Sequence, residues 1–243
     1  MKKVVMFLSL IMACSHILYS QELTVEYNIG YGKFCMRDLR HYMTDDVPEI
    51  YNSVVLKNFP GNVTHQAKIG VELNPIHQFG VSMDFMSTEG RTVRTFISEL
   101  SDYEIDYRTN GTRVGVFYRI TPSKLSTGVI RPYFMLTAGV VISNNSLKTF
   151  DEPEYEPDYV LNGAMAFAEP ALGCKIRLHE NFALNINAGY HIDLDMLYRY
   201  ENHHHVWRFD HVFHSYEDNC ASPTWGGLRA QAGFIFYIPL GKK

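Results

Sequence analysis

Leu23-Thr24-Val25-Glu26-Tyr27-Asn28-Ile29-Gly30-Tyr31-Gly32 settles the architecture of the chain. Every odd position is a large apolar or aromatic residue, and every even position is small or polar. In an extended chain successive side chains point to opposite faces, so this decapeptide has one greasy face and one polar face. Ten residues of this rhythm match a tilted strand that crosses a bilayer.

The same rhythm recurs seven times. In 65–73, Ala67, Ile69, Val71 and Leu73 alternate with Lys68, Gly70 and Glu72. In 78–86, Phe79, Val81, Met83 and Phe85 alternate with Gly80, Ser82 and Asp84. In 109–120, Val114, Val116, Tyr118 and Ile120 alternate with Arg113, Gly115, Phe117 and Arg119. The segment 130–141 carries Phe134, Leu136, Ala138 and Val140 on its apolar face. In 164–178, Leu172, Cys174, Ile176 and Leu178 oppose Glu169, Gly173, Lys175 and Arg177. In 182–193, Leu184, Ile186, Ala188, Tyr190 and Ile192 oppose Asn185, Asn187, Gly189 and His191. In 227–240, Ala230, Ala232, Phe234, Phe236 and Ile238 oppose Arg229, Gln231 and Gly233. The connections 74–77, 121–129 and 179–181 are short; 34–64, 87–108, 142–163 and 194–226 are long. Such alternation of short turns and long loops belongs to an up-and-down barrel with both termini on one side of a membrane. The expected fold is all-β: an eight-stranded antiparallel up-and-down transmembrane β-barrel with four long external loops.

The apolar face must be outside. An eight-stranded barrel is only just wide enough to be filled by side chains. Eight rows of Val, Ile, Leu, Phe and Tyr would overfill it, whereas Gly, Ser, Asn and paired charges fit. This disfavours a soluble lipocalin-like barrel, in which the apolar face lines a ligand cavity. Composition agrees: 16 Tyr and 15 Phe against 2 Trp suit strands and interfacial girdles. Mean hydropathy is −0.15, too polar for a bundle of membrane helices. A net charge of −4 gives no support to a nucleic-acid partner.

Residues 1–20 read as an export signal peptide: Met1-Lys2-Lys3 is basic, Val4 to Leu18 is apolar, and cleavage is expected between Ser20 and Gln21. Residues 21–243 form the barrel domain. A lipoprotein reading would use Ile11-Met12-Ala13-Cys14, where Met12 fits poorly and Cys14 comes early.

Tyr27-Asn28-Ile29-Gly30-Tyr31-Gly32-Lys33-Phe34 followed by Met36-Arg37-Asp38-Leu39, together with Phe79-Gly80-Val81 and Arg113-Val114-Gly115-Val116-Phe117-Tyr118, carry a resemblance. The chain resembles the OmpA/OmpX-like class of small outer-membrane barrels, and more closely the outer-membrane β-barrel proteins of Bacteroidetes-type bacteria. The motifs are loose and span the mature chain. The resemblance implies fold and outer-membrane location, and no specific activity.

The polar faces place Glu26, Glu72, Asp84 and Glu169 in one lumen with Lys68, Arg113, Arg119, Lys175, Arg177 and Arg229. Charges in so narrow a space must pair. The packing favours a salt-bridge plug over a narrow ion path. His203, His204, His205, His211 and His214 crowd one long loop and could ligate a transition metal. Their spacing matches no zinc signature, and a solvated loop explains them as well. Residues 151–158 are acidic and proline-broken, without calcium-loop spacing, and read as an extended loop. Lipid-modifying barrels use a His and a Ser on one strand face. His214 and Ser215 are adjacent and would point apart, and no Ser stands beside His191 and Asp193. A non-enzymatic protein is therefore expected, without cofactor. Barrel closure brings Cys35, above the first strand, near Cys220, before the last, and a disulfide between them is expected; Cys174 faces lipid as a free thiol. The expected partners are outer-membrane lipid and lipopolysaccharide, with an extracellular ligand or envelope protein at the long loops. No nucleic acid is expected, and the barrel is expected to be a monomer. Adhesion or envelope integrity is the expected role, with a narrow channel, a secretion accessory or a lipid A-modifying enzyme as alternatives.

Overall fold

The computed structural model describes residues 22–44, 51–96, 101–150, 159–201 and 224–240. Nine strands are formed in chain order: β1 (Glu22–Phe34), β2 (Tyr51–Asn58), β3 (Asn62–Glu72), β4 (His77–Phe96), β5 (Ser101–Ile120), β6 (Ile130–Phe150), β7 (Tyr159–His179), β8 (Phe182–Glu201) and β9 (Gly227–Pro239). Eight of them close a barrel in the cyclic order β4-β3-β1-β9-β8-β7-β6-β5, every neighbour antiparallel, with β5 returning to β4. The ninth, β2, lies against the far end of β4.

Both faces of each membrane strand follow the alternation. Thr24, Glu26 and Asn28 are buried, while Val25, Tyr27 and Ile29 are exposed. Val116 is 63% exposed although flanked by Gly115 and the buried Phe117. Such an exterior has only one compatible solvent, a hydrocarbon band. Phe79, Tyr118, Phe134, Phe234 and Phe236 ring the end near the short turns. There Tyr118 stacks on His77, with its hydroxyl 2.8 Å from His77 Nδ1. The turn between β3 and β4 is held by Asn74, whose Oδ1 accepts from the amides of Ile76 and His77.

The strands run on well past the membrane. Within the segment 87–108, expected as a loop, residues 87–96 and 101–108 continue the β4–β5 hairpin, paired from His77↔Ile120 to Phe96↔Ser101. Beyond Phe85 the outward residues become Glu89, Arg91, Arg108 and Asn110, so the greasy signal disappears while the backbone ladder persists. The outward face turns polar, and the inward face becomes mixed: Met86, Ile105, Tyr107, Val141 and Met165 point inward among the buried Thr88, Thr92 and Thr109. The wall is inside-out in lipid and conventional in water, as the change of solvent requires.

This upper chamber is closed by the segment read as the first loop. It contains helix α1 (Arg37–Thr44) as well as β2. Met36, Leu39 and Met43 pack with Phe34, Phe59, Met86, Ile105, Tyr107 and Trp225 in a single apolar cluster. Met36 and Phe59 both adopt positive φ, at 43° and 39°, and both are fully buried. Strain of this kind persists where packing over-determines it. Arg40 Nη2 ties α1 down by donating to the carbonyls of Phe34 (3.3 Å) and Phe59 (3.0 Å).

One irregularity marks the β7–β8 ladder. Pairing skips from Ala168↔Ile192 to Ala171↔Gly189, while the β6–β7 register passes through Leu136↔Pro170 without interruption. Pro170 has no N–H to give Tyr190, which removes one rung on the β8 side only.

Candidate functional site: the lumen and its cap

The inward faces of the eight strands bring together all ten charged residues expected in the lumen. Glu26 on β1 is the hub nearest the short turns. It accepts from Lys68 Nζ (3.2 Å) on β3 and Arg119 Nη2 (2.9 Å) on β5. Neutral amides complete its shell: Asn28 Nδ2 donates at 2.7 Å and Asn185 Nδ2 at 2.9 Å. Glu72 pairs with Lys175 Nζ at 3.4 Å, and the same ammonium donates to Gln78 Oε1 at 2.9 Å. Arg177, at the rim, pairs with Glu22 at 3.2 Å.

The second cluster lies toward the long loops and is a four-membered ring. Arg113 Nη1 donates to Glu169 Oε2 (2.6 Å). Arg229 spans Glu169 Oε2 (2.9 Å) and Asp84 Oδ1 (2.8 Å). Arg113 Nε stands 3.9 Å from Asp84 Oδ2, an ionic contact too long for a hydrogen bond. Gln66 couples the two clusters, accepting from Asn28 at 3.1 Å and donating to Asp84 at 2.7 Å. Among the described residues at and just above the membrane level, the carboxylates Glu22, Glu26, Glu72, Asp84, Glu169 and Asp193 therefore share the interior with the cations Lys68, Arg113, Arg119, Lys175, Arg177 and Arg229. Lys68, Arg113, Arg119, Lys175 and Arg229 are each at most 1% exposed.

Aromatic rings carry the flat faces of the guanidinium groups. Arg119 lies 4.3 Å over Tyr133, and Arg113 lies 4.1 Å over Phe167. Tyr133 is fixed in turn by donating to Asn185 Oδ1 at 2.8 Å. Ser82 Oγ, Thr137 Oγ1, Asn187 Nδ2 and both amide atoms of Gln231 are buried with no protein partner among the described residues. Groups of this kind take ordered water as partner.

His191 and Asp193 sit above the ring on β8, 2.9 Å apart, with His191 stacked on Phe167. The second oxygen of Asp193 accepts the amide of Gly226 at 2.7 Å. This pair is thus a clamp on the entry to β9. The clamp continues into the cap: Cys35 N donates to Gly226 O (2.7 Å), Met36 N to Thr224 O (2.8 Å) and Arg37 N to Thr224 Oγ1 (2.8 Å). Trp225 is fully buried, edge-on to Phe34 at 4.9 Å, and its indole N–H donates to Ser143 Oγ at 2.8 Å.

Cys35 is exposed at this convergence point and bonded to no described cysteine, and Cys174 is a half-buried thiol on β7, likewise bonded to no described cysteine. Cys220 lies outside the described residues, as do His203, His204, His205, His211 and His214 and the signal segment 1–20. Among the described residues no cluster of His, Cys, Asp and Glu has the makings of a metal site.

Reading charges alone left out half of the network. Asn28, Gln66, Gln78, Asn185 and Tyr133 join the ion pairs into one body, and their signal was their even spacing with Glu26, Lys68, Asp84 and Asn187 on inward faces.

No family model matches the chain, and no curated protein matches it. Solved structures do. A major outer membrane protein from Thermus thermophilus aligns over 90% of this chain and 100% of its own, at 10% identity and a TM-score of 0.52. Ail, the attachment invasion locus protein of Yersinia pestis, covers 90% of this chain and 99% of its own at 13% identity and a TM-score of 0.37. The outer membrane protease OmpT from Escherichia coli covers 90% and 95% at 7% identity and a TM-score of 0.41. Likeness at such low identity speaks of fold and leaves function to the site. The first of these, with the closed eight-strand order and the apolar exterior, establishes the architecture: the chain has the fold of a small outer-membrane β-barrel.

Proposed function

We propose that this is a non-enzymatic barrel of a bacterial outer membrane, exported by residues 1–20, with its termini in the periplasm and its work done at the cell surface. The observation that carries this reading is the filled interior. A charged network occupies the membrane level, and an apolar cluster occupies the level above it. A protein that neither opens its bore nor exposes its buried polar groups acts through the surface it holds up. The extended wall and α1 supply a rigid scaffold from which the long loops serve binding, adhesion or envelope integrity. The Cys35–Cys220 disulfide belongs to this reading: oxidation would staple the first and last excursions where Thr224 and Gly226 already bind the Cys35 segment.

Planar-bilayer recording tests the seal. The unmodified protein is expected to show no steady conductance above the bare bilayer. Arg113→Ser combined with Arg229→Ser, which removes two of the four members of the upper ring, is expected to open small, frequent current steps. Steady channels in the unmodified protein would replace the sealed reading with the narrow-channel alternative.

A further inference from the structure

Outside the barrel, on the wall formed by β2, β4, β5 and β6, there is a cleft of about 590 Å³. Its side chains include Lys57, Glu89, Arg91, Asp106, Arg108 and Ser146. Adjacent strands carry them at one level: Lys57↔Arg91, Arg91↔Asp106, Glu89↔Arg108 and Arg108↔Ser146 are register partners. Two features separate it from an ordinary charged surface.

The first is rigidity. Arg91 is held by three contacts, Nε to Asp106 Oδ1 at 2.6 Å, Nη2 to Asp106 Oδ2 at 2.8 Å and Nη1 to Glu104 at 2.7 Å. Lys57 is ion-paired with Glu89. A bidentate Arg–carboxylate pair fixes the direction of its remaining lone pairs. The cleft therefore presents preset donors and acceptors side by side, the surface that hydroxyl-rich molecules need. The exposed Arg108 contributes a further cation beside the neutral Ser146. The volume falls in the range of small-molecule sites.

The second is height. Phe85 and Ile142 end the unbroken rows of large apolar residues on the outer faces of β4 and β6; beyond them Val93 and the exposed Val54 and Leu56 of β2 stand among polar neighbours. Glu89 and Ser146 each lie four residues further along. At about 3.3 Å per residue and a tilt near 40°, this is about 10 Å beyond the hydrocarbon edge. The polar layer of an ordinary bilayer is about 5–7 Å deep on each side, so the cleft stands just above it, at the height reached by a headgroup that carries saccharide.

We propose that this cleft binds the headgroup of an outer-leaflet glycolipid, a saccharide carrying an anionic phosphate or carboxylate group. The sugar hydroxyls lie across the Arg91–Asp106 and Lys57–Glu89 pairs, and the anionic group meets Arg108. This deepens the outer-membrane reading and rests on it. The barrel would then be collared by lipid on the β2–β4–β5–β6 side, leaving the opposite side free.

The test uses the full mature chain in nanodiscs of phosphatidylcholine, with and without rough lipopolysaccharide, and native mass spectrometry to count retained glycolipid. The unmodified protein is expected to retain lipopolysaccharide, and Arg108→Glu to weaken retention by about ten-fold or more, the scale of one charge-assisted contact reversed. Lys33→Glu makes the same charge change on β1, outside the cleft, and is expected to leave retention unchanged. Equal loss in both variants, or no retention by the unmodified protein, would overturn the site. Free core oligosaccharide competing as well as the intact lipid would overturn the lipid assignment in favour of a soluble glycan. Failure of the unmodified chain to insert into nanodiscs would instead strike the outer-membrane reading itself.

Discussion

Glu26→Gln is expected to cost about 3–5 kcal/mol of unfolding free energy, the range for breaking a buried ion pair by removing one partner. The substitution keeps the shape of the side chain, so no cavity term enters. What it removes is the charge that answers both Lys68 Nζ and Arg119 Nη2, each at most 1% exposed. The new amide must also turn an N–H toward Asn28, Asn185, Lys68 or Arg119, every one of which already donates to this carboxylate. Urea unfolding of the detergent-solubilised barrel, followed by heat-dependent gel mobility, measures the loss. Adding Lys68→Met, which withdraws one of the stranded cations, is expected to recover part of it, so the double variant is less damaged than the sum of the singles. A loss under about 1 kcal/mol in Glu26→Gln, the scale of an exposed pair, would mean that the lower lumen is wet.

Trp225→Ala is expected to cost about 3–5 kcal/mol, the usual range for a fully buried Trp. Its effect is placed differently. Trp225 touches Phe34 and Ser143 in the apolar chamber above the membrane, remote from the Glu26 hub. The same residue stands between Thr224 and Gly226, whose carbonyls hold Met36 and Cys35. Its loss therefore loosens the cap as a unit. Hydrogen exchange is expected to rise by orders of magnitude over residues 35–44 while the amides of β1 and β9 keep their protection. Uniform loss of protection through the barrel would show that cap and barrel do not separate energetically.

The membrane part of the fold was legible residue by residue. From Leu23 to Ile238 the apolar outward rows and many of the polar inward residues could be placed from period two, because lipid outside and a narrow lumen inside impose opposite demands on neighbouring positions. The extended wall was not legible for the same reason. Once the exterior meets water, Ser87, Glu89 and Arg91 look like loop residues, and the compensating inward row of Met86, Thr88, Gly90 and Thr92 has only one large apolar member. Helix α1 was hidden more completely. Eight residues make too short a helix to announce itself, and the apolar anchors Met36, Leu39 and Met43 find their meaning only against Phe59, Tyr107 and Trp225, which the chain supplies from far away. Of the network, ionised members were visible because charge in a small barrel is conspicuous. The amide couplers were not, since Asn28 or Gln66 taken alone is an ordinary polar residue on an inward face.

The wall of this molecule faces lipid, then water, around an interior that ion pairs line at one level and apolar side chains at the next. A nitroxide scan of single cysteines along β5, from position 102 to 119, samples both regimes on one strand. Collision rates with oxygen, which concentrates in lipid, and with a water-soluble nickel chelate are read at each site. Oxygen contact is expected at 114, 116 and 118, chelate contact at 102, 106, 108 and 110, and little contact with either at the odd positions 105–119. Chelate contact at 113, 115 or 119 would reveal an open aqueous lumen, and chelate contact at 114, 116 and 118 would remove the membrane from the description altogether.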